Sequence, residues 1–180
     1  MIRVIGIDIP RGWAVVDVVP NGQSLGVAFG ELDEGREVDH FADLAYSHRV
    51  TLAAIETPLE PYVHGRGSNG NEGVRRSVIV SLMQCARLAG RMEQKSLELG
   101  IRSPICTRAP IVVDADTVRK ALGIRGRTRT EKDQAVKAYV MTHVRGWPKL
   151  SNADERDAAC VAIYGGMTIK TKDSANVAKT

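Results

Sequence analysis

The order of the apolar segments predicts a mixed α/β fold. Three strand-like segments joined by tight turns come first, and a helix and a fourth strand-like segment follow. The turn signals are Pro10-Arg11-Gly12 and Pro20-Asn21-Gly22. With 180 residues and 43% hydrophobic content, the chain is long enough for one substantial core, so we expect a single domain.

The first third of the chain contains most of the predicted sheet. Residues 2–9 form a continuous apolar run, residues 13–19 are rich in β-branched side chains, and residues 24–32 follow the second turn. These segments predict an antiparallel meander. Residues 37–48 have helical apolar spacing, and residues 50–56 form a fourth strand that ends at Thr57-Pro58.

The middle of the chain predicts a loop and a long helix. Residues 57–73 contain two prolines and a glycine-rich run, which favours a long functional loop. Residues 74–99 have apolar residues at helical spacing, and Gly100 is a typical stop signal. Residues 101–107 are predicted to form the fifth strand.

Three more helices are predicted beyond that strand. One begins at Asp114-Ala115-Asp116 and ends at Leu122-Gly123, and a second runs from Thr130 to Val144. The last helix begins at Ser151, where Ser151-Asn152-Ala153-Asp154 is similar to a capping box. We place the domain at residues 1–166 and predict that the polar tail, 167–180, is disordered.

Four acidic residues stand at the ends of apolar elements. Asp8 ends the first strand, Glu56 ends the fourth, and Asp154 and Asp157 lie three residues apart at the start of the last helix. A carboxylate at the tip of a buried strand is costly unless it is paired, hydrogen-bonded or bound to a metal. Several carboxylates that repel one another become good oxygen ligands for Mg²⁺. The pattern therefore predicts one shared metal site.

The basic residues are concentrated beside these acids. The formal charge of +4 and the pI near 9.1 are only mildly basic. However, one short segment containing two glycines carries Arg119, Lys120, Arg125, Arg127, Arg129 and Lys132. Arg75 and Arg76 lie at the start of the long helix, next to the glycine-rich loop. These eight residues are candidates for contacts with nucleic-acid phosphates, although each also fits an ordinary solvated surface.

The composition argues against several other classes of protein. No apolar stretch reaches the roughly 18 to 20 residues of a transmembrane helix, and the N-terminus enters a strand pattern directly. We therefore expect a soluble, intracellular protein of the cytoplasm. Three widely spaced cysteines, Cys85, Cys106 and Cys160, fit reduced core thiols. An aromatic content of 4% makes base stacking an unfavourable main mode of binding.

The order and spacing of the acids resemble those of the RuvC Holliday junction resolvases, within the ribonuclease H-like superfamily. The matching segments are Val4-Ile5-Gly6-Ile7-Asp8, Ala54-Ile55-Glu56, Asn152-Ala153-Asp154-Glu155-Arg156-Asp157-Ala158-Ala159, and Lys132-Asp133-Gln134-Ala135-Val136. The resemblance covers about residues 1–166 and is nearest to divergent phage-type or organellar branches. It therefore implies, as alternatives for the location, the cytoplasm of a phage host or an organelle. It implies a ribonuclease H-like mixed sheet of five strands, three antiparallel and then two parallel, flanked by helices.

The same resemblance implies an activity. The implied activity is that of a crossover junction endodeoxyribonuclease of DNA recombination and repair. The resemblance also implies a homodimer that acts on four-way junction DNA, without a small-molecule cofactor and without a membrane partner. Asp8, Glu56, Asp154 and Asp157 would hold two Mg²⁺ ions, or Mn²⁺, roughly 4 Å apart for an in-line hydrolysis that leaves 5′ phosphates. Lys132 would neutralise charge on the reacting phosphate, and the long helix would form the dimer contact.

Three other interpretations use the same residues. Another ribonuclease H-like nuclease could use these acids to cut flaps or RNA/DNA hybrids. An actin-like sugar kinase or ATPase also begins with Gly-Ile-Asp, but Ile9-Pro10-Arg11 stands where those much longer chains have a glycine-rich phosphate loop. A non-catalytic module that binds junctions is the third alternative.

Overall fold

A six-stranded mixed sheet forms the centre of the protein. The structure is a computed structural model that describes residues 1–19, 22–58 and 72–177, without the side chains of 72–78 and 170–177. The strands are β1 (Ile2–Asp8), β2 (Gly12–Val18), β3 (Ser24–Glu31), β4 (Leu52–Glu56), β5 (Ile111–Val113) and β6 (Val144–Arg145). The helices are α1 (Glu37–Ser47), α2 (Glu72–Arg102), α3 (Ala115–Ala121), α4 (Arg129–His143) and α5 (Ala153–Val177).

The strand order is β5-β4-β1-β2-β3-β6. The first three strands pair in antiparallel fashion, and β4 and β5 extend the sheet in parallel from β1. The predicted mixed α/β fold, with an antiparallel meander and two further parallel strands, is therefore confirmed. The short strand β6, parallel to β3, is an addition that the sequence did not indicate.

The fifth strand lies elsewhere in the chain than predicted. Residues 101–107 form no strand, because α2 continues to Arg102 and the strand is β5 at Ile111–Val113. Gly100 does not stop the helix; a Cβ at this position would overlap the carbonyl oxygen of Cys106. The glycine is needed for that close approach, by which the Cys106 N–H reaches the Val50 carbonyl.

The helix boundaries also differ from the prediction near the C-terminus. Helix α4 begins at Arg129 and ends at His143, so Val144 belongs to β6 rather than to the helix. Helix α5 runs to Val177 and so continues beyond residue 166, where the sequence analysis placed the end of the domain. Ile169 is buried in the core, so packing of its side chain favours continuation of the helix past Gly166. The predicted loop at 57–73 lies mostly outside the described residues.

The sheet separates two apolar layers. On one face, α1 and α2 cover alternate residues such as Ile5, Ile7 and Ile55. On the other face, α3, α4 and α5 cover the intervening residues, including Val4 and Ala54. This alternation follows from the two-residue repeat of a strand, and a sheet buried on both faces has the continuous apolar strands seen in the sequence.

Helix α5 packs unusually close to β1 and β2. A Cβ at Gly6 would overlap the Ala158 carbonyl oxygen, and one at Gly12 would overlap the backbone of Asp154. The two glycines therefore allow the first turns of α5 to lie directly over the ends of these strands. Within the described part of the chain, no helix is both long and apolar enough to cross a membrane.

Candidate active site

Two of the four acids are brought together by strand register. In the parallel pair β1 and β4, Ile7 lies opposite Ile55, so Asp8 and Glu56 are the next residues on neighbouring strands. Both have the same side-chain parity as Val4 and Ala54, which face α5. The register therefore directs both carboxylates towards the helix that carries Asp154 and Asp157.

The start of α5 is fixed by a capping box that leaves both of its aspartates available. The Glu155 N–H donates to Asn152 Oδ1 at 2.8 Å, and the Asn152 N–H donates to Glu155 Oε2 at 2.9 Å. The predicted cap at Ser151 is wrong, since the Ser151 hydroxyl instead accepts a hydrogen bond from Trp147 Nε1 at 2.8 Å. Asp154 is therefore not used as the capping acid.

The electrostatics show that the four acids form one cluster. Burial, followed by repulsion from Glu56, Asp157 and Asp154, raises the pKa of Asp8 to about 9. Burial and repulsion from Asp157 raise the pKa of Glu56 to about 7. The pKa of Asp157 is also raised, mainly by burial, although Arg119 opposes the shift. Burial and at least one neighbouring acid of the four thus destabilise the charged form of each of these three carboxylates.

Arg119 on α3 contacts this cluster. Its Nη2 donates to Asp157 Oδ1 at 3.2 Å, and its Nη1 lies 3.9 Å from Asp116 Oδ1. Its Nε is buried and has no hydrogen-bond partner within the described residues. The guanidinium of Arg119 therefore contacts one acid of the cluster, Asp157, and one acid outside it, Asp116. Its Nε–H donor has no acceptor among the described residues.

The structure gathers four of the predicted basic residues around one cleft. This open cleft of about 360 Å³ is lined by Asp116, Arg119, Lys120, Gly123, Ile124, Arg125, Gly126 and Lys132. A second cleft, of about 240 Å³, is lined by Glu56 and Asp114 and shares Asp116, Arg119 and Lys132 with the first. One of the four acids, Glu56, therefore lines a cleft together with two of the basic residues.

Arg127 and Arg129 are not among the residues that line these clefts. Arg127 and Arg129 are exposed at the start of α4, whose cap is a reciprocal pair between Thr128 and Glu131. Arg75 and Arg76 lie in the first turns of α2, and their side chains are outside the described residues. Their proposed contacts with phosphate therefore stay predictions.

The sequence analysis missed two acids of the site. Asp114 and Asp116 follow β5 and both act electrostatically on Glu56. Asp114 caps α3 by accepting hydrogen bonds from the Thr117 N–H at 2.8 Å and its hydroxyl at 2.6 Å. Burial opposes ionisation of Asp114, but these bonds outweigh it and lower the pKa. The signal was present, since Asp114 ends an apolar run as Asp8 and Glu56 do.

The donor set fits a hard divalent cation but does not form a ready cage. All the candidate ligands are carboxylates, the donors that Mg²⁺ and Mn²⁺ prefer, and their mutual repulsion would be relieved by a cation. Among the described residues, no three His, Cys, Asp or Glu side chains are arranged to hold one ion as they stand. Asp157 faces Arg119 instead, so metal binding requires side-chain rearrangement.

Comparisons with known proteins agree with this architecture. No protein-family model matches the sequence, and no curated protein does. Thermus thermophilus RuvC is similar in structure, with a TM-score of 0.55 and 14% identity over 95% of this chain and 97% of the other. T. thermophilus RuvC in complex with Holliday junction substrate gives a TM-score of 0.58 and 14% identity over 94% and 96%. The chain therefore has a RuvC-like fold of the ribonuclease H-like type.

Proposed function

We propose that the protein is a metal-dependent endonuclease that resolves four-way DNA junctions by paired, symmetric nicks leaving 5′ phosphates. The observation that carries this proposal is the convergence of Asp8, Glu56, Asp154 and Asp157 where β1 and β4 end and α5 begins. There, the other three acids raise the pKa of Asp8. Such a cluster has no structural purpose that apolar residues would not serve better. The RuvC-like fold, one example of which binds a Holliday junction, supports the junction as the substrate.

Asp8 is the proposed centre of the metal site. It stands on a strand between two neighbours in the sheet, β4 and β2, and it interacts with all three other acids. Glu56, Asp154 and Asp157 would complete the ligands for two Mg²⁺ ions, with Mn²⁺ as a substitute. When bound, such ions supply an activated water and stabilise the departing oxygen.

Arg119 and Lys132 are the residues we assign to the phosphate next to the acids. Both line the 240 Å³ cleft together with Glu56. A phosphate in this cleft would accept hydrogen bonds from the guanidinium of Arg119, whose Nη atoms are shared between Asp157 and Asp116. Lys132 would neutralise charge as the phosphate reacts, as a fixed cation in a partly enclosed site does.

The remaining basic residues are proposed to follow the DNA backbone away from the site. Lys120 and Arg125 line the larger cleft, and Arg127 and Arg129 extend the positive surface at α4. Contacts of this kind position a duplex without reading its sequence. They also predict that binding weakens steeply as the salt concentration rises.

A homodimer is proposed because resolution needs one cut in each of two strands. The described part of α2 exposes Ile79, Val80 and Met83 by 37%, 48% and 51%, and Leu97 and Ile101 are also exposed. Ile79, Met83, Leu97 and Ile101 recur at helical spacing along one face. This face is the proposed contact between two copies, in addition to the packing of α2 on the sheet.

The proposal is tested by cleavage of end-labelled substrates. Purified protein is incubated with a four-way junction, a duplex, a flap and an RNA/DNA hybrid, in Mg²⁺ or in EDTA. Asp8→Asn is compared with Asp43→Asn, a control at an exposed acid of α1 on the opposite face. We expect symmetric nicks in the junction alone, retained by the control and lost in EDTA and in Asp8→Asn.

The other outcomes distinguish the alternatives. Cleavage of hybrids or flaps, with the same dependence on metal and Asp8, would keep the site and replace the substrate. Tight junction binding without cleavage under any metal condition would favour the non-catalytic junction-binding module. Cleavage unchanged by Asp8→Asn would remove the acidic cluster from the mechanism.

A further inference from the structure

Asp116 lies between the two cations that we assign to the phosphate. Its Oδ1 is 3.9 Å from Arg119 Nη1 and 3.7 Å from Lys132 Nζ. Asp116 lines both clefts together with these two residues. One carboxylate oxygen therefore stands where an oxygen of a bound phosphate would interact with the same pair.

The contacts of Asp116 are not those of a structural residue. Its side chain is 61% exposed, and the separations are those of ion pairs rather than of close hydrogen bonds. The capping of α3 is performed by Asp114. Exposed pairs of this kind contribute little to folding stability, and the place of Asp116 in the first turn of α3 adds only the modest interaction of an acid with the helix dipole.

The charge of Asp116 also opposes the binding of a polyanion. It is one of the acids whose repulsion raises the pKa of Glu56, so its field reaches the acidic cluster. A nucleic acid that approaches this surface must displace the carboxylate from two cations and then tolerate it nearby. Both effects lower affinity, and both are screened by salt.

We propose that Asp116 is a built-in competitor of the phosphate: it occupies Arg119 and Lys132 in the free protein and is displaced when nucleic acid binds. This inference rests on the proposed function and adds a determinant of affinity to the same site. Asp116 limits tight binding to any phosphate backbone at low salt. Release of the two cations is then coupled to the arrival of substrate.

The test is nucleic-acid binding by the full-length protein in EDTA, measured by fluorescence anisotropy. A labelled four-way junction and a duplex of matching sequence are titrated with wild type, Asp116→Asn and Asp133→Asn. Asp133 is the matched control, since it also acts on the acidic cluster but forms no ion pair with Arg119 or Lys132 among the described contacts. Circular dichroism confirms that each variant is folded.

We expect Asp116→Asn to tighten binding by about threefold to tenfold at low salt, because two exposed ion pairs no longer compete. Asp133→Asn should change affinity by less than about twofold, because an unpaired charge acts only through a screened field. The gain from Asp116→Asn should decrease as salt is raised. The gain in affinity should also be smaller in a Lys132→Gln background, because one of the two cations for which Asp116 and the phosphate compete is absent.

Two results for Asp116→Asn would overturn this inference by itself. Weaker binding by Asp116→Asn would mean that the carboxylate positions the cations for phosphate rather than competing for them. A gain equal to that of Asp133→Asn would reduce its effect to general charge. The proposed function is judged separately, by the preference of wild type for the junction over the duplex. The affinity of Asp116→Asn relative to that of wild type can be measured on either substrate. If neither protein bound the junction or the duplex, the two proposals would be overturned together.

Discussion

Two arginine–aspartate pairs, near the two ends of strand β1, differ in how many of their hydrogen-bonding groups have partners. Near the start of β1, Arg3 Nε and Nη2 donate to the two oxygens of Asp17 at 2.7 and 2.8 Å, and Nη1 donates to the His48 carbonyl at 3.1 Å. Near the end of β1, Arg119 makes one bond of 3.2 Å to Asp157 and leaves Nε without a partner among the described residues. Asp17 is 3% exposed.

The difference separates a structural pair from a site that can exchange partners. The Arg3–Asp17 fork has both carboxylate oxygens bonded, which is the strong bidentate geometry. Arg119 is instead shared between Asp157 and Asp116. Burial lowers the pKa of Arg119, but the surrounding acids outweigh this and raise it. A guanidinium held by several incomplete contacts can accept a phosphate, and a carboxylate held by one bond can bind a metal.

The sharpest test of this comparison is cleavage by two matched variants. Asp157→Asn should lower the rate of junction cleavage by about a thousandfold or more, because a proposed metal ligand is lost, while junction binding is retained. Asp17→Asn should cleave at close to the wild-type rate. Single-turnover cleavage of a labelled junction measures both. Equal activities of the two variants would erase the functional distinction between the pairs.

Stability should respond in the opposite order. Asp17→Asn should lower the free energy of unfolding by about 2 kcal/mol, because a buried charge-assisted fork is broken. Asp157→Asn should cost less, since it removes one of the mutually repelling acids. Urea denaturation in EDTA measures both changes. A larger loss for Asp157→Asn than for Asp17→Asn would show that the site pair, too, has mainly a structural role.

The acidic cluster should also make the metal-free protein sensitive to pH. The folded-state pKa values of about 9 for Asp8 and about 7 for Glu56 lie above the values of about 4 expected in the unfolded chain. The folded state therefore binds more protons between about pH 4 and 9, and stability falls as pH rises through this window.

We expect the melting temperature in EDTA to fall by on the order of 5 °C from pH 5 to pH 9. In Asp8→Asn the decrease between pH 7 and 9 should flatten, whereas Asp43→Asn should keep the wild-type slope. Differential scanning fluorimetry measures the three profiles. A wild-type profile that rises with pH over this range would contradict the electrostatic description of the site.

Mg²⁺ should give the smallest of these effects. Binding to the folded state alone raises stability according to the ratio of free ion to dissociation constant, so a tenfold excess should raise the melting temperature at pH 8 by about 3 °C. Asp17→Asn should keep this shift and Asp157→Asn should lose most of it. An equal shift in both variants would place the ion away from the four acids.

Much of the fold was predictable because its signals are local. The turn at Pro10, the apolar runs of β1 and β4, and the helical spacing of α1 are all read over a few residues. The strand-end acids Asp8 and Glu56 were found for the same reason, since an acid that closes an apolar run is unusual wherever the run lies in the sheet.

The errors came from contacts between distant residues. Gly100 is a typical helix stop, yet it lies within α2 because the Cys106 segment packs against it. Ile111–Val113 is a short run, and only its pairing with β4 makes it a strand. Once the fifth strand was placed at 101–107, Asp114 and Asp116 no longer followed a strand, and their part in the site was missed.

The sequence by itself determined the mixed α/β class, the four candidate metal ligands and the basic segment, because composition and periodicity are properties of neighbouring residues. The tertiary structure alone decided that Arg119 faces Asp157 and that Asp116 stands between Arg119 and Lys132. These relations depend on strand order and on how closely α5 approaches Gly6 and Gly12. Such distances arise from packing between remote segments, which no local pattern encodes.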